Sequence, residues 1–360
     1  MNKQIPRRTF LGASAAVVAA AALPGVLRRS LAATPAPAAA IGTAAAPAPG
    51  PVTPPADVIP VIDTHIHLFD PFRPGGVSYP SKNNPAHAVM YKTSKPDRYR
   101  PVVESLGIVG AIEIECSALL EDNQWVLDVA ATDEVMVGTI GHLTPGAADF
   151  RANLDRFRKN PLFRGIRYGL GRQQGREFDQ PAFVADLKYM ADNDLVMDTA
   201  NPNVALLADV VRASDKVPSL RIVIDHLPQM LPPTDPAQKV SYDASMKAFR
   251  DRPQIYTKIS EVLRNATASF PKVPNEEVHT DLEFYRPRID EIFECFGPDR
   301  VLYGSDWPNG DQWRPVPVGF KIVKDYFAAK GREVSEKYFW KNSIKAYKWV
   351  QRSAAQKKLA

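Results

Sequence analysis

Val61-Ile62-Asp63-Thr64-His65-Ile66-His67 is an apolar, strand-like run that ends on two imidazoles one residue apart. Strand side chains alternate faces with period 2, so His65 and His67 are expected to point the same way, with Asp63 below them. Two ring nitrogens on one face at the mouth of a strand can share a metal ion or flank a substrate. An edge strand with two solvated histidines would read the same, so the rest of the chain has to decide. At the far end, Arg300-Val301-Leu302-Tyr303-Gly304-Ser305-Asp306-Trp307-Pro308 is a second strand that delivers a carboxylate just past its apolar run.

Between these ends, short β-rich runs recur near residues 59–67, 108–116, 135–143, 163–170, 195–202, 221–228, 255–262 and 300–308. The pieces between them carry helical periodicity, as in Pro181 to Asn193 and Val204 to Ala213. Alternating strands and helices imply crossover connections and a parallel sheet. Eight such units in about 300 residues predict a single-domain α/β fold, a (β/α)8 TIM barrel. No glycine-rich phosphate fingerprint follows the first strand, which argues against a dinucleotide-binding sheet. In a barrel the chemistry sits at the C-terminal strand ends. Those ends here are His65 and His67, Glu115, His142, Arg167, Asp198, His226, Lys258 and Asp306, so four of the six histidines gather there. That concentration points to an enzyme.

The amino-terminal region is excluded from this fold. Arg7-Arg8-Thr9-Phe10-Leu11 followed by the weakly apolar Leu11–Leu27 reads as a twin-arginine export signal over residues 1–33, with small residues for cleavage near Leu31-Ala32-Ala33. The run is too short for a membrane span and is broken by Pro24-Gly25. Residues 34–57, nearly all Ala, Pro, Gly and Thr, read as an extended linker, and 58–352 as the barrel domain. The formal charge of +5 misleads, because Lys3, Arg7, Arg8, Arg28 and Arg29 all lie in the signal, which has no acidic residue. The mature chain is neutral, so nothing argues for nucleic acid or an anionic membrane as partner. Cys116 and Cys295 are expected to be buried free thiols, although an exported chain meets conditions in which they could bridge.

Asp63-Thr64-His65-Ile66-His67-Leu68-Phe69-Asp70-Pro71, Val223-Ile224-Asp225-His226-Leu227 and Tyr303-Gly304-Ser305-Asp306-Trp307-Pro308 resemble the motifs of the amidohydrolase-related family. Within it they are similar to the branch of sugar-acid and 2-pyrone-4,6-dicarboxylate lactonases and metal-dependent hydrolases. Arg164-Gly165-Ile166-Arg167, Lys258-Ile259-Ser260 and Asn342-Ser343-Ile344 extend the likeness over residues 60 to 350. The resemblance implies a hydrolase on a (β/α)8 barrel. Two departures bear on mechanism. The family's metal-bridging lysine on the fourth strand is missing from Phe163–Arg167, and Asp198 stands where a fifth-strand histidine often binds metal. One divalent ion, zinc or manganese, on His65, His67 and Asp306, or no metal at all, are the two cases left open.

Opening a lactone or ester requires an activated water, oxyanion stabilisation and a proton for the leaving oxygen. The expected catalytic residues are Asp306 as general base, His226 to polarise the carbonyl, and His65 and His67 beside them. Arg167, Arg172 and Arg264 are candidate clamps for a carboxylate-bearing small molecule. Glu115, His142 and Lys258 complete the candidate substrate site, with pairing of Lys258 to Glu115 or Asp198 inside the barrel the equal alternative for that lysine. Asp225 is expected to face the helix layer, and Glu113 to need a buried partner such as Lys258. Tyr79, His87 and Tyr91, in the long segment from Leu68 to Pro96, are further candidates for substrate contact. A single final helix, Val334 to Val350, is expected to pack its aromatic stripe on the barrel. The competing functions are a metal-dependent decarboxylase of the same superfamily and an exported, non-catalytic binding protein.

Overall fold

The computed structural model describes residues 58–169, 175–200, 203–228, 231–263 and 278–359. Each of the eight predicted runs forms a strand. They are β1 (Val61–Ile66), β2 (Ile108–Ile114), β3 (Met136–Gly141), β4 (Phe163–Tyr168), β5 (Val196–Thr199), β6 (Arg221–Ile224), β7 (Ile255–Lys258) and β8 (Val301–Leu302). The strands pair in chain order, every pair parallel. Helices α1 (Pro96–Val103), α2 (Asp122–Ala131), α3 (Phe150–Phe157), α4 (Pro181–Asp192), α5 (Val204–Lys216), α6 (Pro236–Phe249), α7 (Leu282–Phe296) and α8 (Val316–Ala328) follow the strands in turn. The extension of β8 closes the ring on β1 through a parallel Ile66–Trp307 bridge. There His67 N donates to Trp307 O at 2.8 Å and Asp306 N to His65 O at 2.8 Å. This is a (β/α)8 barrel.

Apolar alternation builds two separate cores. Outward residues such as Ile66, Phe163, Met197, Ile222 and Ile255 join the helices in one large cluster. Inward residues, among them Ile62, Ile112, Ile140, Val196, Val223 and Leu302, fill the barrel with Tyr347 and Trp349 of the carboxy-terminal segment. Each large side chain removed from water stabilises the fold by about 1.5–3 kcal/mol. Gly165 leaves β4 no side chain where it meets β5, since a Cβ there would lie 2.0 Å from Val196 O.

The predicted single helix over Val334–Val350 is instead three pieces. Short helices at Arg332–Glu336 and Asn342–Tyr347 flank a π-helical turn at Lys337–Lys341, and Lys348, at φ 50°, ends the run. The wider turn shifts the aromatic spacing. Tyr338 stacks on Phe327 at 3.7 Å, while Tyr347 enters the barrel floor. Among the described residues no helix is long and apolar enough to cross a membrane. Cys116 and Cys295 are free thiols, Cys295 buried and Cys116 half-buried.

Candidate active site

The histidine strand is not a regular β-ribbon. The β1–β2 register shifts between Asp63 and Ile66, a bulge that changes which side chains share a face. Ile62 lies in the inner cluster and Ile66 in the outer one. The bulge turns His65 and His67 inward and Asp63 away from them, correcting the expectation that Asp63 lies below the pair. Asp63 accepts from Tyr99 OH of α1 at 2.8 Å and from the backbone N–H of Ser305 at 2.8 Å and His65 at 3.1 Å. Its burial, partly offset by Ser305, raises its pKa. It clamps β1 to the β8 turn. Gly304 in that turn is required by contact, because a Cβ there would stand 2.7 Å from His65 Cβ.

Asp306 sits where both imidazoles point. Its Oδ1 lies 2.9 Å from His67 Nε2 and 3.4 Å from His65 Nε2. His67 Nδ1 is 2.6 Å from Ile114 O, an atom that only accepts, so the proton of the neutral ring is on Nδ1. Burial and then Arg167 lower the His67 pKa to about 4. At neutral pH its bare Nε2 therefore faces a carboxylate at hydrogen-bond distance. Two acceptors that close need a positive charge between them, a shared proton or a metal ion.

Below the mouth lies a buried charge network. Lys258 Nζ contacts Asp198 Oδ2 at 2.7 Å, Asp225 Oδ1 at 2.8 Å and His65 Nδ1 at 3.2 Å. Arg167 donates from Nε to Asp225 Oδ2 at 2.9 Å and from Nη1 to Glu115 O at 3.1 Å. Tyr347 OH donates to Asp198 Oδ2 at 2.8 Å. Burial works against the Asp225 charge, but Lys258, His65 and Arg167 hold it well below the usual carboxylate range. For Asp198 burial outweighs Lys258 and pushes the pKa up to about 7. Burial and then Lys258 lower the His65 pKa well below the ordinary imidazole value.

The placement of Asp225 corrects the expectation that it faces the helices. Val223 is inward and Ile224 outward, which turns Asp225 inward by alternation. His226 then adopts φ 57°, a left-handed conformation that brings a second consecutive side chain into the mouth. Lys258 is not the partner of Glu113. Glu113 and Glu115 line a narrow apolar cleft beside Trp125 and Phe163, outside the barrel, where burial and then Glu115 raise the Glu113 pKa well above the usual carboxylate range. Glu115 and His142 meet at the rim, with His142 Nδ1 3.6 Å from Glu115 Oε1. Arg172 and Arg264 lie outside the described residues.

Three contributors were not foreseen. Glu261, at φ 50°, brings Oε2 to 3.6 Å from His226 Nε2. Ser260 Oγ lies 3.0 Å from His226 Nδ1. Asn309 donates to Asp306 Oδ1 at 3.2 Å and accepts from Tyr79 OH at 2.7 Å, which ties the long segment after β1 to the site. Asp306 itself is at φ 57°, so three residues of the mouth hold a conformation that side chains other than glycine rarely adopt. Their clustering was the missed signal. His87 and Tyr91 pack within that segment instead, His87 on Tyr79 and Tyr91 on Phe72.

A divalent ion fits this donor set. Ligand atoms of His65, His67 and Asp306 lie within 4.8 Å of one another, as do those of His226, Glu261 and Asp306. The facing acceptors on His67 and Asp306 supply the demand for positive charge. The fourth strand offers no bridging lysine, and Asp198 on the fifth is bound by Lys258 and Tyr347.

A relative from Burkholderia ambifaria, an L-fucono-1,5-lactonase, is 26% identical over 251 residues, which span 69% of this chain and 80% of the lactonase. An amidohydrolase from Burkholderia multivorans with bound zinc shares the fold at TM-score 0.69 and 18% identity, covering 81% of this chain and 99% of that one. So does a 5-carboxyvanillate decarboxylase from Novosphingobium aromaticivorans complexed with manganese, at TM-score 0.56 and 16% identity, covering 80% and 96%. Residues 4–24 match the signal sequence of the twin-arginine translocation pathway, which marks the chain for export by that route. Residues 62–349 match the amidohydrolase family model, and the chain belongs to the amidohydrolase family.

Proposed function

We propose that this enzyme opens a lactone by attack of water on the ring carbonyl, with Asp306 as general base. The observation that carries the reading is the Asp306 carboxylate placed against Nε2 of both His65 and His67 at the barrel mouth, 3.4 and 2.9 Å away. Asp306 takes the water proton and His226, oriented by Ser260, polarises the carbonyl oxygen. The leaving oxygen of the ring receives the proton returned by Asp306, so one water O–H bond and the acyl–oxygen bond break, a new acyl–oxygen bond to the water oxygen and an O–H bond on the leaving oxygen form, and water is added overall. A divalent ion at His65, His67 and Asp306 would act as a Lewis acid and lower the pKa of a bound water.

The substrate is a small lactone or ester with acidic or polyhydroxy character, as the name of the fuconolactonase relative suggests. Arg167 is a limited clamp for a carboxylate. Two of its nitrogens are committed to Asp225 and Glu115, which leaves Nη2 for a ligand. Glu115 and His142 border the same rim. Residues 1–33 would be the signal, 34–57 the linker and 58–352 the catalytic domain, delivered to the periplasm or beyond. Decarboxylation is the second reading, favoured by the shared fold of the manganese-bound decarboxylase. Screening the mature protein against sugar-acid lactones, pyrone dicarboxylates and simple esters separates them. Acid release without carbon dioxide supports the lactonase, and carbon dioxide without ester cleavage overturns it.

A further inference from the structure

Asp306 lies beyond the regular part of β8, where a tight turn takes over the backbone. Gly310 N donates to Asp306 O at 2.9 Å, and Asn309 opens the 3-10 turn Asn309–Gln312. A side-chain bond joins the same two residues, the Asn309 amide donating to Asp306 Oδ1 at 3.2 Å. That is the oxygen both imidazoles face, 2.9 Å from His67 Nε2 and 3.4 Å from His65 Nε2. The terminal torsion of an aspartate is broad, so bonds to its oxygens set which way the carboxylate is turned. The amide is held in turn, since its oxygen accepts from Tyr79 OH at 2.7 Å. Tyr79 belongs to the long segment after β1, whose ends are tied where Phe69 and Ser94 exchange backbone hydrogen bonds at 3.0 and 2.8 Å. The Tyr79 ring meets Phe69 and His87 edge-on, and His87 Nδ1 accepts from Ser81 N at 2.9 Å. At the other end of the turn, Gln312 Nε2 lies 3.4 Å from Met90 Sδ. The segment thus grips the turn at two points.

We propose that Asn309 is a positioning residue that sets the rotation of the Asp306 carboxylate, with Tyr79 locking its amide, so that the segment after β1 aims the base; this rests on the reading of Asp306 as that base. With an ion at His65, His67 and Asp306 the same bond would support a ligating carboxylate, as hydrogen bonds to metal-binding carboxylates do.

Kinetics on whichever lactone, pyrone dicarboxylate or ester the mature protein turns over test this. Asn309→Leu keeps the volume and removes both hydrogen bonds. It should lower kcat by ~10–10²-fold while KM moves by less than ~3-fold, because a misaimed base slows chemistry rather than binding. In an Asp306→Asn background the same substitution should cost less than ~2-fold, since the group it aims is gone. Tyr79→Phe should lower kcat by a smaller factor and add nothing to Asn309→Leu. Wild-type kcat in Asn309→Leu, an equal loss in both backgrounds, or a rise in KM at constant kcat overturns the inference. Wild-type rate in Asp306→Asn overturns the reading of the base and the inference with it. Carbon dioxide as product overturns only the lactonase, because the coupling of Asn309 to Asp306 is read on either product. A substrate-free measurement stands beside these. The Asn309 side-chain amide signal, assigned in nitrogen-15 and carbon-13 spectra of the wild-type protein, should move in Asp306→Asn and in Tyr79→Phe. A signal unmoved in both overturns the proposal even where Asn309→Leu does not fold.

Discussion

Replacing Asp225 by asparagine tests the buried network most sharply. The carboxylate receives Lys258 at 2.8 Å and Arg167 at 2.9 Å, with no exposed surface on its side chain. Removing one partner of a buried ion pair strands the other charge, at a cost of about 3–5 kcal/mol. Asparagine keeps one accepting oxygen for one of the two donors, so a value near ~3 kcal/mol is expected at the low end of that range. Urea unfolding of the mature protein at pH 7.5 reads this as a lower midpoint at unchanged slope. The pH dependence follows from the depressed native pKa. Such a carboxylate contributes stability that is present above its unfolded pKa, about 3.9, and is lost as pH falls through the lower folded value. The gap between wild type and mutant should therefore be flat from pH 6 to 8 and shrink in acid. High salt should leave it nearly unchanged, because buried pairs are poorly screened. A gap below ~1 kcal/mol at pH 7.5, the range of an exposed pair, would refute the account of a desolvated network.

Other outcomes follow from the same geometry. Asp306→Asn should lower kcat by ~10²–10⁴-fold with the unfolding midpoint preserved, since an isosteric amide cannot take the water proton. Near wild-type kcat would remove Asp306 from that role. Gly304→Ala places a Cβ 2.7 Å from His65 Cβ and should displace the ring, lowering kcat by ~10²-fold. An unaltered kcat would show that His65 position does not matter. Asp198, with its pKa raised to about 7, contributes stability that is full below its unfolded value and is lost as pH rises through the folded one. Stability relative to Asp198→Asn should fall between pH 4 and 7, and a flat difference would contradict the raised value.

The barrel was legible because each strand run is short, apolar and separated by a helical stretch, and such runs have few other ways to pair. The strand-end rule also brought His65, His67, His226 and Asp306 to one mouth. What alternation misplaced lies where the backbone leaves the regular strand. The β1 bulge turned Asp63 toward Tyr99, and the left-handed His226 let Asp225 and His226 both face inward. Glu261 depends on the same left-handed geometry. The Tyr79–Asn309–Asp306 chain joins residues 230 positions apart, a contact that no local pattern encodes. A strand period cannot register a bulge or a positive φ, and these cluster at the site.

Hydrolysis of an aldono-1,5-lactone in water enriched with oxygen-18 tests the central claim most directly. Water attack on the ring carbonyl predicts one labelled oxygen in the product carboxylate, none in the released hydroxyl and no carbon dioxide. The rate of that labelling should collapse in Asp306→Asn. Label in the hydroxyl, evolution of carbon dioxide, or labelling by Asp306→Asn at the wild-type rate would contradict the account.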